Sequence, residues 1–535
     1  MTTKVLKDIY SDAIAVSSSG DTWVLAQGAM IVSSGEGFRQ ESGASGNTYE
    51  IAGLIRAPVA VGVTSIAGGT TTVNLAATGR LIQGGILADL GGTLTANIDG
   101  RISSIATAID SSAAKTVVDV GKHGSISTTS GDGIDAAGIL RADVTIAGRV
   151  SGADAGFVSA ALKTTLNVLA GGVLEGGSVA ASMTGTGQLD ATIDGELRSA
   201  VNYGLAATLV GDISVKIGTE GLVDSSVGLL LASVDHTSFS NQGDVFSLTG
   251  GVFVGGTTMD AYNNGLIEGE IGMSVGGDGH VVNDVNGKIS AATTALGVGA
   301  FDYLHVFAIT NHGLIEAAGV AIDATLAGDV SIASDGSIIG KVELGDGDDV
   351  VDLRGGSLKG MLSGGNGNDT LITDNARIKL VETSDGGTKD TVKSTVSYVL
   401  NDNVERLYLL GSAKANGTGN ASDNILRGNS GNNVLNGLAG LDDLDGGKGN
   451  DKLTGGGDAD TFHFSTGGGK DTITDFTHLT DKIDLSHWDA IGTFSQLKNH
   501  AADDGHGNLA ITAGTDTLTI LGMAKADLAS GDFTF

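Results

Sequence analysis

The sequence predicts an all-β protein: a long parallel β-solenoid, then a tighter β-roll, then a β-rich C-terminal module. Three observations carry that prediction. A glycine followed closely by an aliphatic residue returns at intervals of 20 to 26 residues, at 53, 79, 100, 124, 148, 172, 195, 221, 243, 265, 287, 313, 336 and 356. Between these markers lie segments such as TTTVNLAA and GTLTANIDG, in which every second side chain is apolar, the pattern of a half-buried strand. From residue 419 the chain proceeds in steps of nine.

A unit of this length cannot bury its apolar face alone, but stacking on the coils above and below buries it continuously. An antiparallel sandwich also uses Gly-rich turns, yet has no reason to repeat one turn phrase at constant spacing. Residues 1–45 are less periodic and are expected to form a cap or anchoring segment, with Trp23 and Phe38 in an atypical first layer. Residues 46–372 read as the solenoid. At 373–418 charged residues, Tyr398 and Tyr408 enter, and the stretch reads as a less regular β bridge with STVSYVL and VERLYLL as strands. Residues 419–463 are the roll, and 464–535 a capping C-terminal module.

Composition narrows the partners. With 62 acidic against 30 basic residues the formal net charge is -32, a field that repels nucleic acid and anionic membranes and attracts small hard cations. There are 87 Gly, one Pro and no Cys, so neither collagen nor a disulfide framework is at issue. A hydrophobic fraction of 41% excludes an acidic disordered tail, and only 4% aromatics means a core of many thin aliphatic layers. MTTKVLKDIYSDAIAVSSSGDTWVLAQG contains no apolar run followed by a small-residue cleavage site, so no N-terminal secretory signal is expected. No transmembrane segment is expected either.

The nonapeptides are GNASDNILR, GNSGNNVLN, GLAGLDDLD, GGKGNDKLT and GGGDADTFH, from 419 to 463. Their sixth residues are Asn424, Asn433, Asp442, Asp451 and Asp460, and their eighth are Leu426, Leu435, Leu444, Leu453 and Phe462. This is the pattern G-G-x-G-x-D-x-U-x, with U a large apolar residue. Glycines allow a turn that aims carbonyl oxygens inward, the acid adds carboxylate oxygen, and U enters the core. Two nonapeptides make one coil, so residues 18 apart are stacked: Asp442 is expected on one edge with Asp460, and Asp451 on the other over Asn433. Candidate calcium ligands here are Asn433, Asp442, Gly447, Gly449, Asp451, Gly456, Asp458 and Asp460, strongest at 440–460. Two outlying copies, LGDGDDVVD (344–352) and GGNGNDTLI (364–372), add Asp346, Asp348, Asp349, Asn366, Asn368 and Asp369. Asp349 and Asp369 are 20 apart, one coil of the wider solenoid.

Residues 419–463, with 344–372 as satellites, resemble the RTX calcium-binding β-roll of proteins exported by bacterial type I secretion. DTITDFTHLTDKIDLS (471–486) resembles the segment that closes such arrays, and the stretch from 504 to the terminal DFTF is similar to the C-terminal module of that class. The resemblance implies an uncleaved C-terminal export signal, the type I machinery as a partner and an extracellular or cell-surface location. The earlier solenoid resembles S-layer, adhesin and autotransporter-like surface proteins only generically. The array is expected to remain unfolded where calcium is scarce and to fold outside the cell.

No catalytic constellation accompanies these repeats. None of the ten His makes an HExxH spacing, and GMSVG (272–276) matches G-x-S-x-G without the helix that a nucleophile elbow requires. The expected role is therefore a non-enzymatic, calcium-dependent structural protein that self-assembles or coats the bacterial surface, as an S-layer, filament or matrix component. The alternatives are an adhesin for surface or host glycans, and a polysaccharide lyase, hydrolase or epimerase built on a solenoid face.

Overall fold

The computed structural model describes residues 1–41, 44–64, 69–89, 91–138, 140–299 and 306–535. The chain divides into two compact units, Met1–Gly299 with Gly313–Gly319, and Ala300–His312 with Val320–Phe535. The first is a parallel β-solenoid with three short strands per coil. In one coil these are Thr93–Ile98, Arg101–Ser104 and Ile109–Ser111; in the next they are Lys115–Val120, Ser125–Thr128 and Ile134–Ala136. Each pairs in parallel with its counterpart, so Thr93 faces Lys115, Arg101 faces Ser125 and Ile109 faces Ile134.

Alternation decides which side chains enter. Leu94, Ala96 and Ile98 are buried while Thr93, Thr95 and Asn97 are not. Because the register holds from coil to coil, Ile98, Val120, Ile146, Val168 and Ile193 stack in one column, each at most 1% exposed. The core is a set of such columns, which is how a chain poor in aromatics fills its interior.

The recurrent glycine is required by close approach of backbone. A Cβ on Gly148 would lie 2.3 Å from the Gly124 carbonyl oxygen, and one on Gly195 2.3 Å from that of Gly172. Those same carbonyls accept the next coil's hydrogen bonds, Arg149 N–H to Gly124 O at 3.0 Å and Glu196 N–H to Gly172 O at 2.9 Å. At another corner Asn241, Asn263 and Asn283 are fully buried and linked amide to amide, at 2.9 and 2.8 Å. Stacking thus lets a polar corner satisfy itself.

The parallel ladder already runs through 1–45: Thr3–Leu6 pairs with Thr22–Leu25, which pairs with Thr48–Ile51. Trp23 and Phe38 lie inside these coils with ring centroids 6.2 Å apart, and Phe38 packs on Tyr49 at 5.2 Å. Ser274 of GMSVG sits within the strand Leu266–Asn283, away from any strand-to-helix turn.

In the second unit the coil narrows to two strands. Thr370–Thr373, Thr391–Ser394, Arg406–Leu409, Ile425–Arg427, Asp443–Asp445, Thr461–His463 and Lys482–Asp484 form one parallel ladder. Tyr398–Val399, Gly417–Thr418, Val434–Leu438, Lys452–Gly456, Lys470–Ile473 and Asp516–Ile520 form the other. Residues 373–418 therefore keep the ladder. After it come a short helix, Phe494–His500, capped by Thr493, and the antiparallel pair Leu509–Ala513 and Asp516–Ile520. The terminal Phe533–Thr534 adds in parallel to Lys482–Asp484. Among the described residues no helix is long and apolar enough to cross a membrane.

A substitution at the marker tests the stacking account. Gly148→Ala is expected to lower the thermal stability of the solenoid by about 1–3 kcal/mol, through overpacking against backbone. Gly35→Ala, where a Cβ meets nothing within 4 Å, is expected to leave the melting curve unchanged.

Candidate metal centre

In each nonapeptide the sixth residue turns inward, two before the buried apolar position. Asp442, Asp451 and Asp460 are each 2% exposed, and Leu444, Leu453 and Phe462 beneath them at most 1%. One carboxylate oxygen reaches the neighbouring coil. Asp442 Oδ1 accepts from Asn424 N–H at 2.8 Å, Asp460 Oδ1 from Asp442 N–H at 3.0 Å, and Asp481 Oδ1 from Asp460 N–H at 3.1 Å. The opposite edge repeats this, with Asn433 N–H on Asp451 Oδ1 at 2.7 Å and Asp451 N–H on Asp471 Oδ1 at 2.9 Å. The first edge begins earlier in the same strand ladder, with Asp349, Asp369, Asp390 and Glu405: each acid accepts the backbone N–H of the one before it, at 2.9, 2.7 and 2.9 Å.

The second oxygens have no such role. Oδ2 of Asp349, Asp369, Asp390, Asp442 and Asp451 is buried without a hydrogen-bond partner among the described residues. In the nonapeptides this oxygen occupies the space a Cβ on the first glycine would fill: 2.0 Å between Gly437 and Asp442, 2.5 Å between Gly446 and Asp451, 2.1 Å between Gly455 and Asp460. Buried, unpartnered carboxylate oxygen beside bare backbone is a cradle for a hard cation. Without one, burial drives the acids far above the ordinary 3.8, Asp442 and Asp451 to about 7, Asp460 to about 6 and Asp471 to about 8. The residues present fit calcium.

The turn backbone shows why glycine recurs at the second and fourth positions. Gly447, Gly449 and Gly456 have φ of 80°, 137° and 114°, a region that L side chains avoid. Leu438 and Asp458, at φ 89° and 71°, occupy it without being glycine.

The other predicted residues divide. Asp346, Asp348, Asn366 and Asp458 are exposed and Asn368 is half-buried. Across coils Asn366 Nδ2 donates to Asp346 Oδ1 at 2.7 Å, Asn368 N–H to Asp348 Oδ1 at 2.8 Å and Gly440 N–H to Asp458 Oδ2 at 3.4 Å, and these residues lie outside the buried ladders. Asn433 is buried, but its amide is committed: Nδ2 donates to Ala415 O and Oδ1 accepts Asn429 N–H at 2.9 Å. Asn424 is held likewise by Val404 O and Asn420 N–H. In these first nonapeptides the amide supplies the donor that elsewhere is lacking.

Sequence reasoning missed Glu382, Asp390, Glu405, Asp471 and Asp481. A signal existed for four of them, Glu405 with buried Leu407 two residues on being one. Asp390, Asp471 and Asp481 are likewise each followed two residues later by a buried apolar side chain, Val392, Ile473 and Ile483, as the sixth and eighth repeat positions are. Their turns depart from nine-residue spacing. Of the His residues, His305 lies outside the described residues. His463 Nε2 approaches Asp443 Oδ1 to 2.7 Å, and Arg427 binds the same oxygen at 2.9 Å. Burial alone would raise Asp443, but these two partners bring it down to about 2.

Comparison with known proteins agrees with this geometry. The model of the RTX calcium-binding nonapeptide repeat matches in four copies, over residues 361–375, 418–453 and 438–473. These repeats bind calcium. When bound, the ion supplies the positive charge that lets stacked carboxylates remain ionised together. No curated protein matches the chain. Among solved structures, the extracellular lipase LipA from Serratia marcescens aligns over 48% of this chain and 45% of its own, at 17% identity and a TM-score of 0.16. So low a score carries neither fold nor activity across.

The pKa shifts fix a sign. Acids raised in the fold hold protons that the unfolded chain releases, so the metal-free roll is most stable below the unfolded pKa of 3.8 and loses stability as pH climbs through about 6 to 8. Asp443, lowered to about 2, titrates below that window. In chelator the melting temperature is expected to fall between about pH 5 and about pH 8, and in calcium, which requires ionised ligands, to rise. Equal slopes in both conditions would remove the cation from this account.

Proposed function

We propose that the protein is an extracellular, calcium-dependent structural protein that assembles with copies of itself or coats the bacterial surface, as an S-layer, filament or matrix component. The observation that carries this reading is the allotment of the described chain to stacked coils, with few loops long enough to build a pocket. RTX repeats are typical of proteins secreted by type I systems, which supports the type I machinery as a partner and a location where calcium is plentiful. A net charge of -32 makes copies repel one another unless a divalent cation screens or bridges them, so calcium would serve assembly as well as folding.

A second reading, an adhesin or polysaccharide-acting enzyme, is favoured by one feature of the first unit. A shallow groove of about 480 Å³ is lined by Ser151, Glu175, Arg198, Ser199, Asp224 and Ser225. Stacked register places Glu175, Arg198 and Asp224 in one row. Such a row offers donors and acceptors to a sugar chain, with aromatic platforms absent from its lining.

Refolding from denaturant with calcium titrated over about 0.1 to 10 mM, followed by light scattering and electron microscopy, separates the two. Ordered sheets or filaments that dissolve in chelator are expected. A folded chain that stays monomeric throughout and binds an envelope or host glycan would move the assignment to the second reading.

A further inference from the structure

At the outlying repeat 364–372, three acids from separate stretches converge. Asp369 closes the turn of GGNGNDTLI, Glu382 follows the strand Leu380–Val381, and Asp390 precedes the strand Thr391–Ser394. One carboxylate oxygen of each lies within 4.8 Å of those of the other two. The residues are 1%, 8% and 0% exposed. Asp369 Oδ2, Asp390 Oδ2 and both oxygens of Glu382 are buried without a hydrogen-bond partner. Burial and the neighbouring carboxylates favour the neutral form of Glu382, and the Gly365 backbone N–H opposes them only weakly. Among the described residues no Lys, Arg or His forms an ion pair with any of the three.

The surrounding wall is backbone. A Cβ on Gly364 would lie 2.0 Å from Glu382 Oε1 and 2.2 Å from Asp369 Oδ2, and one on Gly387 2.8 Å from Asp390 Oδ2. Asp369 Oδ1 and Asp390 Oδ1 are fixed by Asp349 N–H and Asp369 N–H, which holds their free oxygens toward Glu382. In the repeats each coil contributes one acid to an edge; here Glu382 brings a third acid, with two free oxygens, to a point already flanked by two.

We propose that Asp369, Glu382 and Asp390 form a calcium site of their own, a three-carboxylate pocket completed by Glu382 and separate from the array at 419–463. An all-oxygen set carrying three negative charges selects a hard cation over softer transition metals, and a glutamate with both oxygens free can bind in bidentate fashion. More ligand charge on a rigid frame means tighter binding, so this site fills at lower calcium than the repeats and empties after them. The inference rests on calcium binding by this chain and shares one acid, Asp369, with the outlying repeat.

Full-length protein, dialysed at graded free calcium and assayed for bound calcium by atomic emission, tests it. Glu382→Gln and Asp390→Asn, each checked for folding by far-UV circular dichroism, are each expected to lose one calcium from the tightest class. Asp451→Asn is expected to keep that ion and lose a weaker one. Melting supplies a second readout: Glu382→Gln is expected to raise the melting temperature in chelator, by removing a buried acid, and to lower it in calcium. An unchanged tight class together with unchanged melting in both conditions would overturn the site, leaving Glu382 a buried neutral acid. A loss with Glu382→Gln but not with Asp451→Asn would uphold it while removing the repeat assignment.

Discussion

Parallel stacking in fixed register is the constraint on which the rest depends. Strands about 4.8 Å apart place each residue over its counterpart in the next coil, so like meets like. The consequences follow from the side chain alone. Ile98, Val120 and Ile146 gain from meeting their own kind. Asn241, Asn263 and Asn283 gain too, because an amide is both donor and acceptor. Gly124 and Gly148 meet without side chains, which brings backbone against backbone. Aspartate is the exception, since one carboxylate over another repels and neither can donate.

The molecule answers that exception in two ways. Where the inward corner residue is Asn, as at 424 and 433, its amide donates to Val404 and Ala415 carbonyls and the turn closes internally. Where it is Asp, as at 442 and 451, one oxygen takes the neighbour's N–H and the other is left without a donor. The calcium requirement thus comes from a single atom at each corner, the change from amide nitrogen to carboxylate oxygen, while fold and register remain the same.

Much of this was legible in the sequence because stacked coils write themselves as period. The glycine markers located the coils, and spacing of 18 put Asp442 with Asp460 on one edge and Asp451 with Asn433 on the other. What escaped was whatever broke the period. Asp471 and Asp481 follow turns of other lengths, and Glu382 reaches its position from beyond a strand, so only three-dimensional convergence reveals it. The candidate ligands also included Asp346, Asp348 and Asp458, acids at the third, fifth and fourth positions of their repeats, where the motif asks for none and the side chains are exposed. Trp23 and Phe38 are expected from the sequence in an atypical first layer, and their rings pack with Tyr49 inside the first coils.

The contact between marker glycines joins each coil only to its immediate neighbours, Gly124 to Gly148 and Gly148 to Val173 N–H. A gene segment encoding one whole coil can therefore be duplicated or deleted by unequal recombination with every surviving junction still of the same kind. Descendants of such a chain can differ in length by whole coils far more readily than by single residues, because a one-residue insertion within a strand turns every following side chain to the wrong face.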